Sequence, residues 1–164
     1  MGKARRWTAM LVATGALALV GAACSPASGP AAPVGAQRCG PDATTNAIFA
    51  STNHSRAAHG LGPLVWNGPT GCLATSWSQY LASTNTFDHG DLNAVMTSPG
   101  YAGFRTLGEN ILTGPASMSA ADMATAWMNS PDHRATILSP AYSSMGIGLV
   151  YANGSVWATE TFGG

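Results

Sequence analysis

MGIGLVYANGSVWATETFG, residues 145–163, is the stretch whose reading decides the architecture. Met145, Ile147 and Leu149 alternate with small residues, and Val156, Ala158, Glu160 and Phe162 alternate again beyond Asn153-Gly154. Period-two alternation marks a strand with one buried face, and Asn-Gly is the pair best suited to the two left-handed positions of a type I′ turn. The stretch therefore predicts an antiparallel hairpin. Glu160 shares a strand face with Val156 and Phe162, which makes it either a carboxylate pulled into the core or an edge residue.

Upstream, residues 107–112 (LGENIL) read as a further strand, and the rest of the domain carries helical signals. Asp42 or Thr44 caps a first helix through Ile48, Thr52 and Arg56 that stops at Gly60, with Pro63 just beyond. A second helix from about Thr70 places Leu73, Trp77, Tyr80 and Leu81 on one face. A third begins at Ser119, with Asp122 closing a capping box, and buries Met123, Ala126 and Trp127. Ser130-Pro131-Asp132 restarts a short helix, with a cap residue, a proline at the first helical position and an acid in the first turn, and Pro140 ends it. Helices and an antiparallel sheet sharing one core give an α+β class.

The chain of 164 residues suits one domain, and it opens with an export address. Lys3, Arg5 and Arg6 precede a mostly apolar run, and Gly21-Ala22-Ala23 puts small residues before Cys24. This is a secretory signal pattern over residues 1–23, with a retained membrane anchor as the weaker reading because the run is short for a span. Cys24 reads as a lipidation site, the alternative being ordinary cleavage and a freely secreted product. Residues 24–37 are then a tether rich in Pro, Ala, Ser and Gly, and residues 38–164 the folded domain. A lipidated Cys24 makes the membrane surface a partner. Without residues 1–23 the chain keeps four Arg against seven acidic residues, a balance of −3 with His neutral, and has no lysine. That excludes a phosphate-tracking basic face, so nucleic acid is not an expected partner.

With Cys24 set aside, Cys39 and Cys72 remain as a pair in an exported domain, where a disulfide is favoured; buried free thiols are the alternative. Such a bridge contributes about 3–4 kcal/mol in the chain-entropy account.

Chemistry-bearing residues are few. His89 lies in FDHGDL (residues 87–92), Glu109 in GEN (residues 108–110) and His133 in SPDHR (residues 130–134). Two imidazoles and a carboxylate suit zinc with an open fourth position, although spacings of 20 and 24 residues carry no local metal signature. His54 and His59, five apart on the first helix, do not share a face and read as surface or packing residues. No GxSxG, Walker loop or catalytic cysteine motif is present.

In order, NHSRAAHGLGPLVWN (residues 53–67), a Trp-bearing helix, FDHG, GEN, AWMNSPDHRATIL (residues 126–138), MGIGLV and WATETFG (residues 157–163) closely resemble the bacterial, SCP-like branch of the CAP superfamily. The resemblance spans about residues 44–163. It implies a three-layer α-β-α sandwich and a cleft lined by two His and two Glu able to bind a divalent cation such as zinc. His89 matches the first histidine and Glu109 the GEN glutamate. The strand of residues 156–160 has no histidine to match the second, and Asp122 is the only acid on the helix where the second glutamate belongs. His133 either replaces the missing ligand or supports the cleft, and Glu160 is the further residue expected to line it. Three functions follow from the resemblance: a binding module for a lipid or cell-wall ligand, a zinc-assisted hydrolase with Glu109 as base, or an envelope protein whose cleft residues only brace loops. The first is preferred, because no serine or cysteine nucleophile motif is present and the tetrad is incomplete.

Overall fold

The computed structural model describes residues 39–164, so the signal segment, Cys24 and the tether lie outside the described residues. Helix α1 (Ala43–Ala58) starts at Asp42, whose carboxylate accepts from the Thr45 backbone N–H at 2.8 Å while the Asp42 N–H donates to Thr45 Oγ1 at 2.8 Å. Two helix-end donors are thus satisfied reciprocally. We expect Asp42→Ala to cost about 1 kcal/mol in denaturant unfolding, and an unchanged midpoint would deny the cap its role. Gly60, at φ 73°, takes the left-handed position just beyond the helix end.

The chain then forms β1 (Val65–Trp66), α2 (Gly68–Thr84), α3 (Leu92–Met96), a 3₁₀ turn over Pro99–Tyr101, β2 (Leu107–Pro115), α4 (Ala120–Asn129), α5 (Pro131–Ile137), β3 (Ser144–Ala152) and β4 (Ser155–Gly163). The hairpin of β3 and β4 turns at Asn153 and Gly154, both at positive φ (52° and 76°), as the Asn-Gly pair predicts. Strand order is β1-β3-β4-β2. β2 and β3 both run antiparallel to β4, while the two-residue β1 adds a parallel pair with β3 that the sequence did not suggest. The Asn53 side chain holds the approach to β1, donating to the Leu64 carbonyl at 3.0 Å and accepting from its N–H at 2.8 Å.

One sheet face packs on α1, α4 and α5 through a core including Ile48, Met123, Trp127, Ile137, Met145, Ile147, Val156 and Phe162. The other packs on α2, with Leu81, Ala82, Ile111 and Trp157 buried between them. The layers are α-β-α. The disulfide joins Cys39 to Cys72, tying the chain ahead of α1 to the start of α2.

Helix α2 turns inward only part of the face its large side chains predict, namely Leu81. Thr70, Gly71, Ala74, Ser78, Leu81 and Ala82 are buried, whereas Tyr80 is exposed and Leu73 and Trp77 are only half-buried. The reason lies on β3. A Cβ on Gly146 would run into the backbone of Gly71, and one on Gly148 into that of Ala74 and Thr75. Glycines on the strand and small residues on the helix let the two backbones meet closely, and large side chains on that helix face have no room. On α4 the capping box of Ser119 and Asp122 forms, and Ala124, not Ala126, joins Met123 and Trp127 in the core. Ser130 starts α5 without a side-chain cap bond.

Candidate functional site

β2 is an edge strand, and its adjacent residues Glu109 and Asn110 point to opposite faces of the sheet. On the α2 side, Glu109 meets the loop that follows α2. Asn85, left-handed at φ 53°, ends that helix, and the Trp77 indole N–H donates to the Asp88 carbonyl at 3.1 Å. The turn this creates brings two donors onto one oxygen: His89 Nδ1 lies 2.9 Å and the Gly90 N–H 3.0 Å from Glu109 Oε1. A carboxylate can only accept, so Nδ1 carries the proton, and Nε2 of the neutral ring is left as an acceptor. The Glu109 side chain is 3% exposed and that of His89 59%. A buried acid thus holds an imidazole whose other nitrogen faces outward.

His133, on α5, comes to the same strand edge. Its carbonyl accepts from Asn110 Nδ2 at 3.2 Å. Partial burial foremost, and then the nearby charge of His89, hold its imidazole below the usual histidine range, with Asp132 opposing.

Glu160 goes elsewhere. It pairs across the sheet with Asn110 and lies on the α1 side, fully buried, so the structure does not bring it to the His89–Glu109 pair. Its Oε1 accepts from Thr52 Oγ1 and its Oε2 from Asn110 Nδ2, both at 3.0 Å. Burial pushes this carboxyl up to about 7, and the two hydrogen bonds only partly offset that. Asn110 is the residue that sequence reasoning missed, since it binds Glu160 and braces His133 with one amide. Its place beside Glu109 on a strand was the available signal, because the next residue must face the opposite layer.

His54 and His59 are exposed. His59 receives a hydrogen bond from Arg134 at 3.0 Å and bonds the Ser55 carbonyl at 2.7 Å. His54 borders an open groove of about 600 Å³ between α1 and α4, lined also by Ala50, Ala124 and Met128. It lies on the helical layer opposite the one that Glu109 faces.

A sandwich of this topology, with a His–Glu pair at the free edge of its sheet, defines an SCP-like domain. The chain belongs to the CAP (cysteine-rich secretory protein) family, whose model matches residues 49–161. It is 35% identical to the Bacillus subtilis protein YkwD over 68% of this chain and 44% of that protein. It is 33% identical to the B. subtilis membrane protein YlbC over 62% of this chain and 30% of that one. Among solved structures, an extracellular protein containing a SCP domain from Bacillus anthracis superposes with a TM-score of 0.62 at 29% identity, covering 73% of this chain and 39% of that one. The chain thus spans less than half the length of these bacterial relatives.

Proposed function

We propose that this protein works outside the cytoplasm as a binding module, holding a lipid or cell-wall ligand at the cleft of His89 and Glu109, with His133 beside it. The observation that carries this reading is the buried Glu109 carboxylate spending one oxygen on orienting an exposed imidazole. That is the construction of a preformed recognition group. Among the described residues, neither His89 nor His133 has a hydroxyl or thiol hydrogen-bonded to its ring, so no activated nucleophile accompanies them. The extracellular setting of the SCP-domain relative from B. anthracis and the export signal of this chain support the location.

Zinc-assisted hydrolysis is the second reading. Its support is that a carboxylate fixing Nδ1 and leaving Nε2 outward is also how a metal-binding imidazole is held. Among the described residues, however, no group of three His, Cys, Asp or Glu side chains comes together to hold a metal ion. The zinc reading therefore rests on the His89–Glu109 pair alone.

The test is a calorimetric zinc titration of the metal-stripped protein beside a cell-wall and vesicle binding assay, with His89→Ala and Glu109→Gln in both. We expect no saturable zinc site, and at least a tenfold loss of ligand binding in His89→Ala at an unchanged thermal midpoint. A one-site zinc isotherm weakened by both substitutions, with chelator-sensitive hydrolysis, would overturn the binding reading in favour of the enzyme.

A further inference from the structure

The described surface beside His89 carries an aromatic platform that the binding reading does not use. Trp77 and Tyr80, one turn apart on α2, stack with ring centroids 4.9 Å apart and planes 20° from parallel. Trp77 is pinned by its bond to Asp88, while Tyr80 remains 49% exposed, so one face of the tyrosine rests on the indole and the other is open. The pair is continuous with the cleft. The point where a Cβ of Gly90 would sit is 3.4 Å from Glu109 Oε2 and 3.5 Å from the Trp77 ring. Gly90 thus lies between the Glu109 carboxylate and the Trp77 indole and joins the aromatic pair to the His89–Glu109 pair. Phe87, 50% exposed, lies in the same loop.

The chemistry of this surface selects its ligand. The Glu109 carboxylate is buried behind His89, whose side chain is 59% exposed and, in its neutral form, turns an acceptor Nε2 outward. The polar group on offer therefore calls for a donor. Asp88 and Asp91 flank His89, and the exported chain is acidic, so phosphates and other anions are repelled. An acyl chain has no donors, and on an open face most of it would stay in water. A pyranose ring meets every requirement: its C–H face, with positive edges, stacks on the electron-rich face of an aromatic ring, and its hydroxyls donate at the rim. A preordered stack also costs little conformational entropy on binding.

We infer that Tyr80, Trp77 and His89 together form a subsite for an uncharged sugar unit of a glycan strand. This rests on the binding reading above and narrows its ligand to the cell-wall class. Tyr80 supplies the stacking face, Trp77 holds it in place, and the outward His89 Nε2 takes a hydroxyl hydrogen.

The probe is the N-acetylglucosamine tetramer, titrated into the purified protein by calorimetry, with vesicles of phosphatidylglycerol and phosphatidylcholine in parallel. Saturable tetramer binding is expected, weakened at least tenfold by Tyr80→Ala and by His89→Ala, retained by Tyr80→Phe, and with thermal midpoints unchanged. Failure of the wild type to bind the tetramer, or equal affinity in Tyr80→Ala, overturns the inference. Vesicle binding that depends on His89 without any sugar binding keeps the broader reading and removes the glycan. Sugar binding lost in Tyr80→Ala but intact in His89→Ala keeps the aromatic subsite and retires the His89–Glu109 cleft as the binding centre.

Discussion

Gly148→Ala is expected to destabilise the protein by about 3 kcal/mol, at the upper end for one added methyl in a packed interior. The methyl would be driven into Ala74 and Thr75 of α2, and what it meets is backbone, which cannot swing aside as a side chain can. Relief requires moving the whole helix off β3, and with it the burial of Ala74, Ser78 and Leu81. The Ser78 hydroxyl, 3.1 Å from the Gly148 carbonyl and 2.9 Å from Thr159 Oγ1, would lose the first of these partners too. Urea unfolding measures the effect, with Gly62→Ala as the control, since a Cβ there meets nothing within 4 Å. A Gly148→Ala midpoint matching that of the control would show that helix and strand are not in backbone contact.

Lowering the pH from 8 to 5 is expected to stabilise the protein, opposite to the behaviour of most carboxylates. Glu160 is fully buried, and its folded pKa of about 7 stands above the ordinary 4.5. Between those two values the native state holds a proton that the unfolded chain has released. Stability is therefore full below about 4.5 and lost as the pH rises through about 7, by roughly 3 kcal/mol for this group alone. His133 opposes it, because a folded pKa held down by burial loses stability on acidification. That histidine is only half-buried, so its share is the smaller. The comparison of wild type with Glu160→Gln isolates the glutamate. The glutamine oxygen still accepts from Asn110, and its amide can donate to Thr52 Oγ1, so the variant should fold and match or exceed the wild type at pH 8. Parallel stability curves for the two proteins between pH 5 and 8 would mean that Glu160 is already ionised in the fold.

The sequence by itself determined the elements whose cause is local. Asn153-Gly154 admits the two positive φ angles of its turn wherever the hairpin packs, and Asp42 with Thr45, or Ser119 with Asp122, closes a cap within four residues. Ordered motifs on these elements were sufficient to identify the family. The tertiary structure alone decided which surfaces meet. Of the large side chains on α2 only Leu81 marked the inward face, because the rest of that face is made of small residues whose value appears only against the glycines of β3. The same holds for the site. Glu109 and Glu160 look alike in a chain with few charges, yet strand register sets one behind the exposed His89 on the α2 side and seals the other behind Thr52 and Asn110. His89 and Glu109 are 20 residues apart, and they bond only because the pinned loop after α2 is laid against an edge strand. Capping and turn preferences act over a few residues and can be read along the chain. Facing, register and depth of burial arise from contacts between distant segments, and they exist only once those segments have packed.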